Sequence, residues 1–379
     1  MVAMRASRFP RYRPQQKRRR RLIAATATSA TVLLALAGCG SSSDQRTNVA
    51  TVLPATAPSA PPRLAAQPAG RITPLKAGGA GSVGGGSVGG TVMTRSGNVL
   101  AVLSAPGTTL LRIPTTTGAA PLRPVTTPHL TAVIGTGAGA FLGVGPKVLA
   151  RVAADGSVSL APIGSSEPTA LARTRSGQIV VGAANGHVLV FDGSLRQIRD
   201  IGGFVRVDAI TVSPASADLA AEQVVVLDRA QSSVTPVNLS SGELGAALRA
   251  GNGATNITVD HFGRIIAANT RDNEILGFFG SPLVMRFRYP VAHGPYAVDY
   301  DDTRNLLWVS TTANNEVVAY DLAGGEPVEK YRFASVAQPD AIAVDDSTGV
   351  IYVLSARGDG LQTVAPPYGP GATATSSGR

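Results

Sequence analysis

The sequence is short of the residues that carry most protein chemistry. Its 379 residues include one cysteine, four histidines and one tryptophan. A single thiol forms no internal disulfide, so the fold must hold by packing and strand pairing. The histidines, His129, His187, His261 and His293, lack i,i+4 or similarly tight spacing, which excludes the common local metal motifs. The glycine-rich run 78–90 lacks the Gly-Lys-Ser/Thr end that a phosphate loop needs, and reads as a connector. Aromatic residues make up 5% of the chain and charged residues 15%, whereas 43 glycines and 26 prolines supply turns. That balance points to many short strands in one large domain.

Positive charge is abundant overall but absent as a body-wide feature. The formal charge of +10 includes Arg5, Arg8, Arg11, Arg13, Lys17, Arg18, Arg19, Arg20 and Arg21, all upstream of Cys39 with no acid among them. From Cys39 onward, 25 basic residues face 24 acidic ones. A near-neutral body has no general attraction for phosphates, which excludes nucleic acid as a partner.

The first 38 residues have the order of an export signal: a basic region, an apolar stretch from Leu22 to Ala37, then a short small-residue motif. The apolar stretch is too short for a comfortable membrane span. Leu36-Ala37-Gly38-Cys39 matches the bacterial lipobox, in which small residues fit the signal peptidase and the free thiol takes a diacylglyceryl group. Each buried CH₂ of an acyl chain contributes roughly 0.8 kcal/mol of membrane binding. The expectation is a signal peptide over 1–38, lipidation at Cys39, and a domain held at the extracytoplasmic face of the cell membrane. Arg19-Arg20-Arg21-Leu22-Ile23 resembles the core of a twin-arginine signal, but five consecutive basic residues produce it by chance, and the general secretory route is favoured. Residues 39–70 are rich in Ser, Ala, Pro and Thr, and are expected to form a disordered tether. The Gly/Thr/Ser-rich segment 367–379 is expected to be a disordered tail.

Between them, residues 71–366 repeat. Asp208-Ala209-Ile210-Thr211-Val212, Asn256-Ile257-Thr258-Val259-Asp260, Tyr296-Ala297-Val298-Asp299 and Asp340-Ala341-Ile342-Ala343-Val344-Asp345 each begin a unit of apolar runs separated by turns. More degenerate copies begin near 91, 131 and 169. Four short runs per unit, about 40 residues apart, predict an all-β, seven-bladed β-propeller. The last unit holds only three strands. Arg71-Ile72-Thr73-Pro74-Leu75 precedes the first unit without a blade of its own, so it is predicted to supply the missing outer strand and close the ring.

The hairpin Asn314-Asn315-Glu316-Val317-Val318-Ala319-Tyr320-Asp321 and the run from Pro339 to Asp345 resemble the YVTN/NHL class of propellers, which is quinoprotein amine dehydrogenase-like. Val226-Leu227-Asp228-Arg229-Ala230-Gln231-Ser232-Ser233-Val234, Leu248-Arg249-Ala250-Gly251 and Pro327-Val328-Glu329-Lys330 are similar to segments of the LppL-type lipoproteins of mycobacteria. The likeness covers most of residues 165–365 and is weaker over 71–164. It implies a cell-envelope lipoprotein with a propeller domain and brings no activity, because the shared motifs specify fold.

Propellers generally use the loops around the channel mouth. Loops entering the innermost strands hold His129, Glu167, Asp208, Asn256, His293, Tyr296 and Asp340. Loops joining second and third strands hold Arg229, Arg271 and Arg357, together with Asn185, His187, Gln231, Asp272, Asn314, Asn315 and Asp359. The candidate ligand face is therefore Arg229, Arg271, Arg357, Asp208, Asn256, His293, Tyr296 and Asp340. Arginine forks suit carboxylate and phosphate, which points to a small polar or anionic ligand or an envelope protein. The competing reading makes the Asn, Asp and Gly residues turn formers and pairs the arginines with nearby acids. No cofactor is implied. The leading expectation is a non-catalytic binding module. Alternatives are a lactonase-like hydrolase, with Asp208, Asn256, Asp340 and Glu167 imitating an acidic calcium centre; a dehydrogenase with a channel-mouth cofactor; or a structural spacer in the envelope. Trp308 and Tyr320 are expected to pack between blades.

Overall fold

The computed structural model describes residues 49–61, 65–75, 93–104, 106–165 and 167–368. Cys39, the signal segment and the glycine-rich run lie outside them. The described residues form seven four-stranded antiparallel sheets arranged as a propeller. In chain order the blades span residues 93–126, 132–162, 168–201, 209–249, 254–290 and 295–334, and the seventh spans 339–364. The first strands begin at Met93, Ala132, Pro168, Ala209, Ala254, Pro295 and Pro339, within two residues of the starts read from the repeats.

The seventh blade is completed from the other end of the chain. Arg71–Thr73 pairs antiparallel with Leu361–Val364, with Ile72 opposite Gln362, as the unpartnered edge required. Gln362 is buried and fixes this closure: its amide donates to the carbonyls of Ala69 and Ala334 at 2.8 and 3.1 Å, and its Oε1 accepts from Val336 N–H. Gly70 enters the strand at φ +66, and a Cβ there would overlap the Thr363 carbonyl.

Alternation explains how the blades pack. Successive side chains on a strand point to opposite faces. In Leu306–Thr311, Leu306 and Trp308 join a cluster with Ile342, Val344 and Val353 of blade 7. Leu307 and Val309 join Ile266 and Ile275 of blade 5. Both faces are buried, so the strand opens on a continuous apolar run, Leu306 to Val309, rather than alternating. Seven such clusters occur, one between each pair of neighbouring blades around the ring. Outermost strands such as Val284–Pro290 are largely exposed.

Trp308 and Tyr320 pack between blades. Trp308 is fully buried and meets Tyr368 edge-on at 4.7 Å. Tyr368 is itself buried and its hydroxyl donates to the Gly349 carbonyl. The chain therefore stays packed two residues beyond the boundary drawn at 366, because an aromatic ring covers the side of Trp308.

Candidate functional site

The loops that enter each blade and those that join its second and third strands share one face. Arg229 follows the second strand of blade 4, Val224–Asp228; Arg271 follows that of blade 5, Ile265–Asn269; and Arg357 follows that of blade 7, Val350–Ser355. Among the described residues none of the three forms an ion pair with an acid. The pairing that would have made them structural is absent there, and their donors point elsewhere.

They point at the chain's own upstream segment. Residues 49–61, expected as part of a disordered tether, lie extended across this face from blade 4 to blade 7. Arg229 donates to the Ala55 carbonyl, and Arg271 to the carbonyls of Leu53 and Asn252. Arg357 donates to the carbonyls of Pro61, at 2.7 Å, and Ala60. Gln338 clamps the same stretch from both sides: its amide donates to the Pro58 carbonyl at 2.9 Å and its Oε1 accepts from Ala60 N–H at 2.9 Å. One main-chain bond, from Val52 N–H to the Ala230 carbonyl at 2.7 Å, completes the set. Ala55 and Ala60 are buried, and Ala57 packs against the blade 6–7 cluster. The expectation of disorder fails over 49–61 because it counted only the segment's own apolar surface. It left out the donors and small concavities that the folded face supplies.

Beneath this segment lie Tyr296, Asn256 and Asp340. Tyr296 is buried, and desolvation raises its phenol, with Arg229 opposing and Asp340 adding to the shift. Asn256 donates to the Tyr296 carbonyl at 3.0 Å. Asp340, half-buried, accepts from Gln338 at 3.0 Å, yet desolvation raises its carboxyl to about 6. Arg229 is 2% exposed, and its Nε has no hydrogen-bond partner among the described residues. Deeper in the ring, desolvation raises the Asp299 carboxyl to about 7, although Val344 and Tyr300 N–H groups donate to it at 2.9 and 3.0 Å.

Asp208 and His293 make no hydrogen bond to the segment 49–61 among the described residues. Asp208 is buried, with one oxygen on Arg206 Nε at 2.6 Å and the other on Arg229 N–H at 2.9 Å. It holds the Arg229 loop, with both carboxylate oxygens engaged within the protein. His293 is exposed in a turn at φ +69, and its carbonyl accepts from Ala313 N–H at 3.0 Å. Arg229, Arg271, Arg357, Asn256, Tyr296 and Asp340 lie with His293 at the same end of the blades. Sequence reading missed Gln338 and the segment 49–61. The one available signal for the latter was its prolines, which leave carbonyls in excess of N–H groups.

The acidic-centre arrangement is not assembled. Glu167 is exposed, Asp208 is engaged as above, and among the described residues no group of three or more His, Cys, Asp or Glu side chains lies in metal-holding range.

No family model matches the chain, and no curated protein matches it by sequence. Solved structures do resemble it in fold. A streptogramin B lyase structure aligns with TM-score 0.59 at 13% identity, covering 73% of this chain and 93% of that one. Hydrazine synthase from Kuenenia stuttgartiensis aligns with TM-score 0.61 at 12% identity, covering 74% and 97%. Virginiamycin B lyase from Staphylococcus aureus aligns with TM-score 0.57 at 12% identity, covering 72% and 94%. At such identities the likeness shows the β-propeller fold alone and transfers no chemistry.

Proposed function

We propose that this chain is an LppL-type envelope lipoprotein, anchored in the membrane through Cys39, whose propeller is a non-catalytic binding module for a polar or anionic ligand or a protein segment. The observation that carries the binding role is the set of three arginines, drawn from three blades onto one face with no acid partner among the described residues. Arginine offers only donors and keeps its charge, so such a set attracts carbonyl, carboxylate or phosphate oxygens. The anchoring role is supported by the order of basic region, apolar stretch and lipobox at residues 5–39.

The test has two arms. Acyl labelling is expected for the wild type and absent from Cys39→Ala; equal labelling of both overturns the anchor. Affinity capture of the lipidated protein from its native envelope, with mass spectrometry, is expected to return a ligand or partner. Recovery of that species should drop at least tenfold in the combined Arg229→Ala, Arg271→Ala, Arg357→Ala variant. Unchanged recovery overturns the arginine face as the binding site.

A further inference from the structure

We propose that the face over blades 4–7 is a receptor groove for an extended, proline- and alanine-rich peptide, and that residues 49–61 of this chain are its built-in occupant. The proposal rests on the binding-module reading and names its ligand class and its regulation.

The donor chemistry argues for a peptide backbone. Arg229, Arg271, Arg357 and Gln338 all donate to main-chain carbonyls, those of Leu53, Ala55, Pro58, Ala60 and Pro61. A proline-rich strand has the complementary deficit, since each proline removes an N–H and keeps a carbonyl. Pro54, Pro58 and Pro61 also favour an extended backbone before binding, which lowers the ordering entropy.

The shape argues for small side chains at set positions. Gly253 lies under Ala55 and Gly294 under Pro58; a Cβ on either glycine would press on the segment. Ala55 and Ala60 are 6% and 4% exposed, so neither position accepts a larger side chain without lifting the strand.

The occupant is separable from the fold. All seven sheets are complete without it, and blade 7 is closed by Arg71–Thr73 rather than by 49–61. Its fit is also incomplete: Arg229 Nε stays buried beneath it with no partner among the described residues, a position that a better ligand would satisfy. A tethered segment competes at high effective concentration, so a free ligand meets a groove that is already filled until the segment leaves.

The experiment uses the full chain in detergent and a fluorescent peptide with the sequence of residues 49–61, read by anisotropy. A variant with 49–61 replaced by a Gly/Ser stretch of equal length is expected to bind this peptide at least tenfold more tightly than the wild type. Adding Arg229→Ala and Arg357→Ala to that variant should weaken binding at least tenfold, and a Gly/Ser probe should not bind. Circular dichroism verifies the fold. Should the replacement variant not fold, hydrogen exchange on the wild type gives the answer: excess peptide should raise exchange at the Val52 and Ala60 amides, and unchanged exchange overturns the proposal. Equal affinity in both proteins, or a folded replacement variant that ignores the peptide, also overturns it. If that variant still captures an arginine-dependent ligand from the envelope, only the peptide groove falls; if it captures none, the binding-module reading falls with it.

Discussion

Arg229 shows how a single side chain couples the segment to the channel mouth. Its loop is held by Asp208, its guanidinium reaches the Ala55 carbonyl, and its charge acts on Tyr296 below. Arg229→Ala is therefore expected to raise hydrogen exchange at Val52 and Ala60 while leaving the blade amides protected; unchanged exchange would show that the segment is held without it. Asp340 and Asp299 supply a pH dependence. Both carboxyls are raised by desolvation, to about 6 and about 7, so the folded state favours their neutral forms. The stability they contribute is full below the unfolded value near 4 and is lost as pH rises through about 7. Other carboxyls, including Asp272 through Asn269 and Asp345 through Ser347, are lowered and act in the opposite direction below that range. The denaturation midpoint is expected to fall between pH 5 and pH 8. Asp340→Asn keeps an acceptor for Gln338 and should flatten the part of that fall below about pH 6; an unchanged slope would assign it elsewhere.

Among the elements, the closing strand carries the most consequence for its size. Three residues, Arg71–Thr73, cover the only edge that blade 7 would otherwise expose on its outer side. Gly70→Ala places a Cβ against the Thr363 carbonyl at a left-handed φ, and should destabilise the propeller by about 1–3 kcal/mol in chemical denaturation. A change below about 0.3 kcal/mol would show that closure does not depend on this entry. Trp308 tests the neighbouring interface. It is 0% exposed and packs among Tyr331, Phe333 and Tyr368, so Trp308→Ala is expected to cost about 3–5 kcal/mol. Tyr368→Ala should lose part of the same contact. Additive losses in the double variant would show that the two rings do not act together.

At the scale of the whole molecule, docking of residues 49–61 sets how far the face reaches from the proposed anchor. Nine residues lie between Cys39 and Val49, a span of at most about 35 Å when fully extended. Release up to Arg71 lengthens it to at most about 110 Å. A donor fluorophore at exposed Glu167, introduced as Glu167→Cys, should transfer energy efficiently to acceptor-labelled lipid in vesicles. Transfer should drop when 49–61 is replaced by Gly/Ser, and no change would dissociate the segment from spacing. The sequence by itself determined the seven-bladed architecture and the closure. Both follow from local periodicity, turn residues and the count of strands, and each blade interface repeats the same two-sided burial. It also placed the candidate residues in loops at one end of the blades, because loop position in a repeat predicts which end a residue occupies. Only the tertiary structure decided that Asp208 supports the Arg229 loop, that Gln338 is a clamp, and that 49–61 lies across that face. Those outcomes depend on distances between residues nearly 300 positions apart, such as Arg357 and Ala60, and no local pattern encodes them.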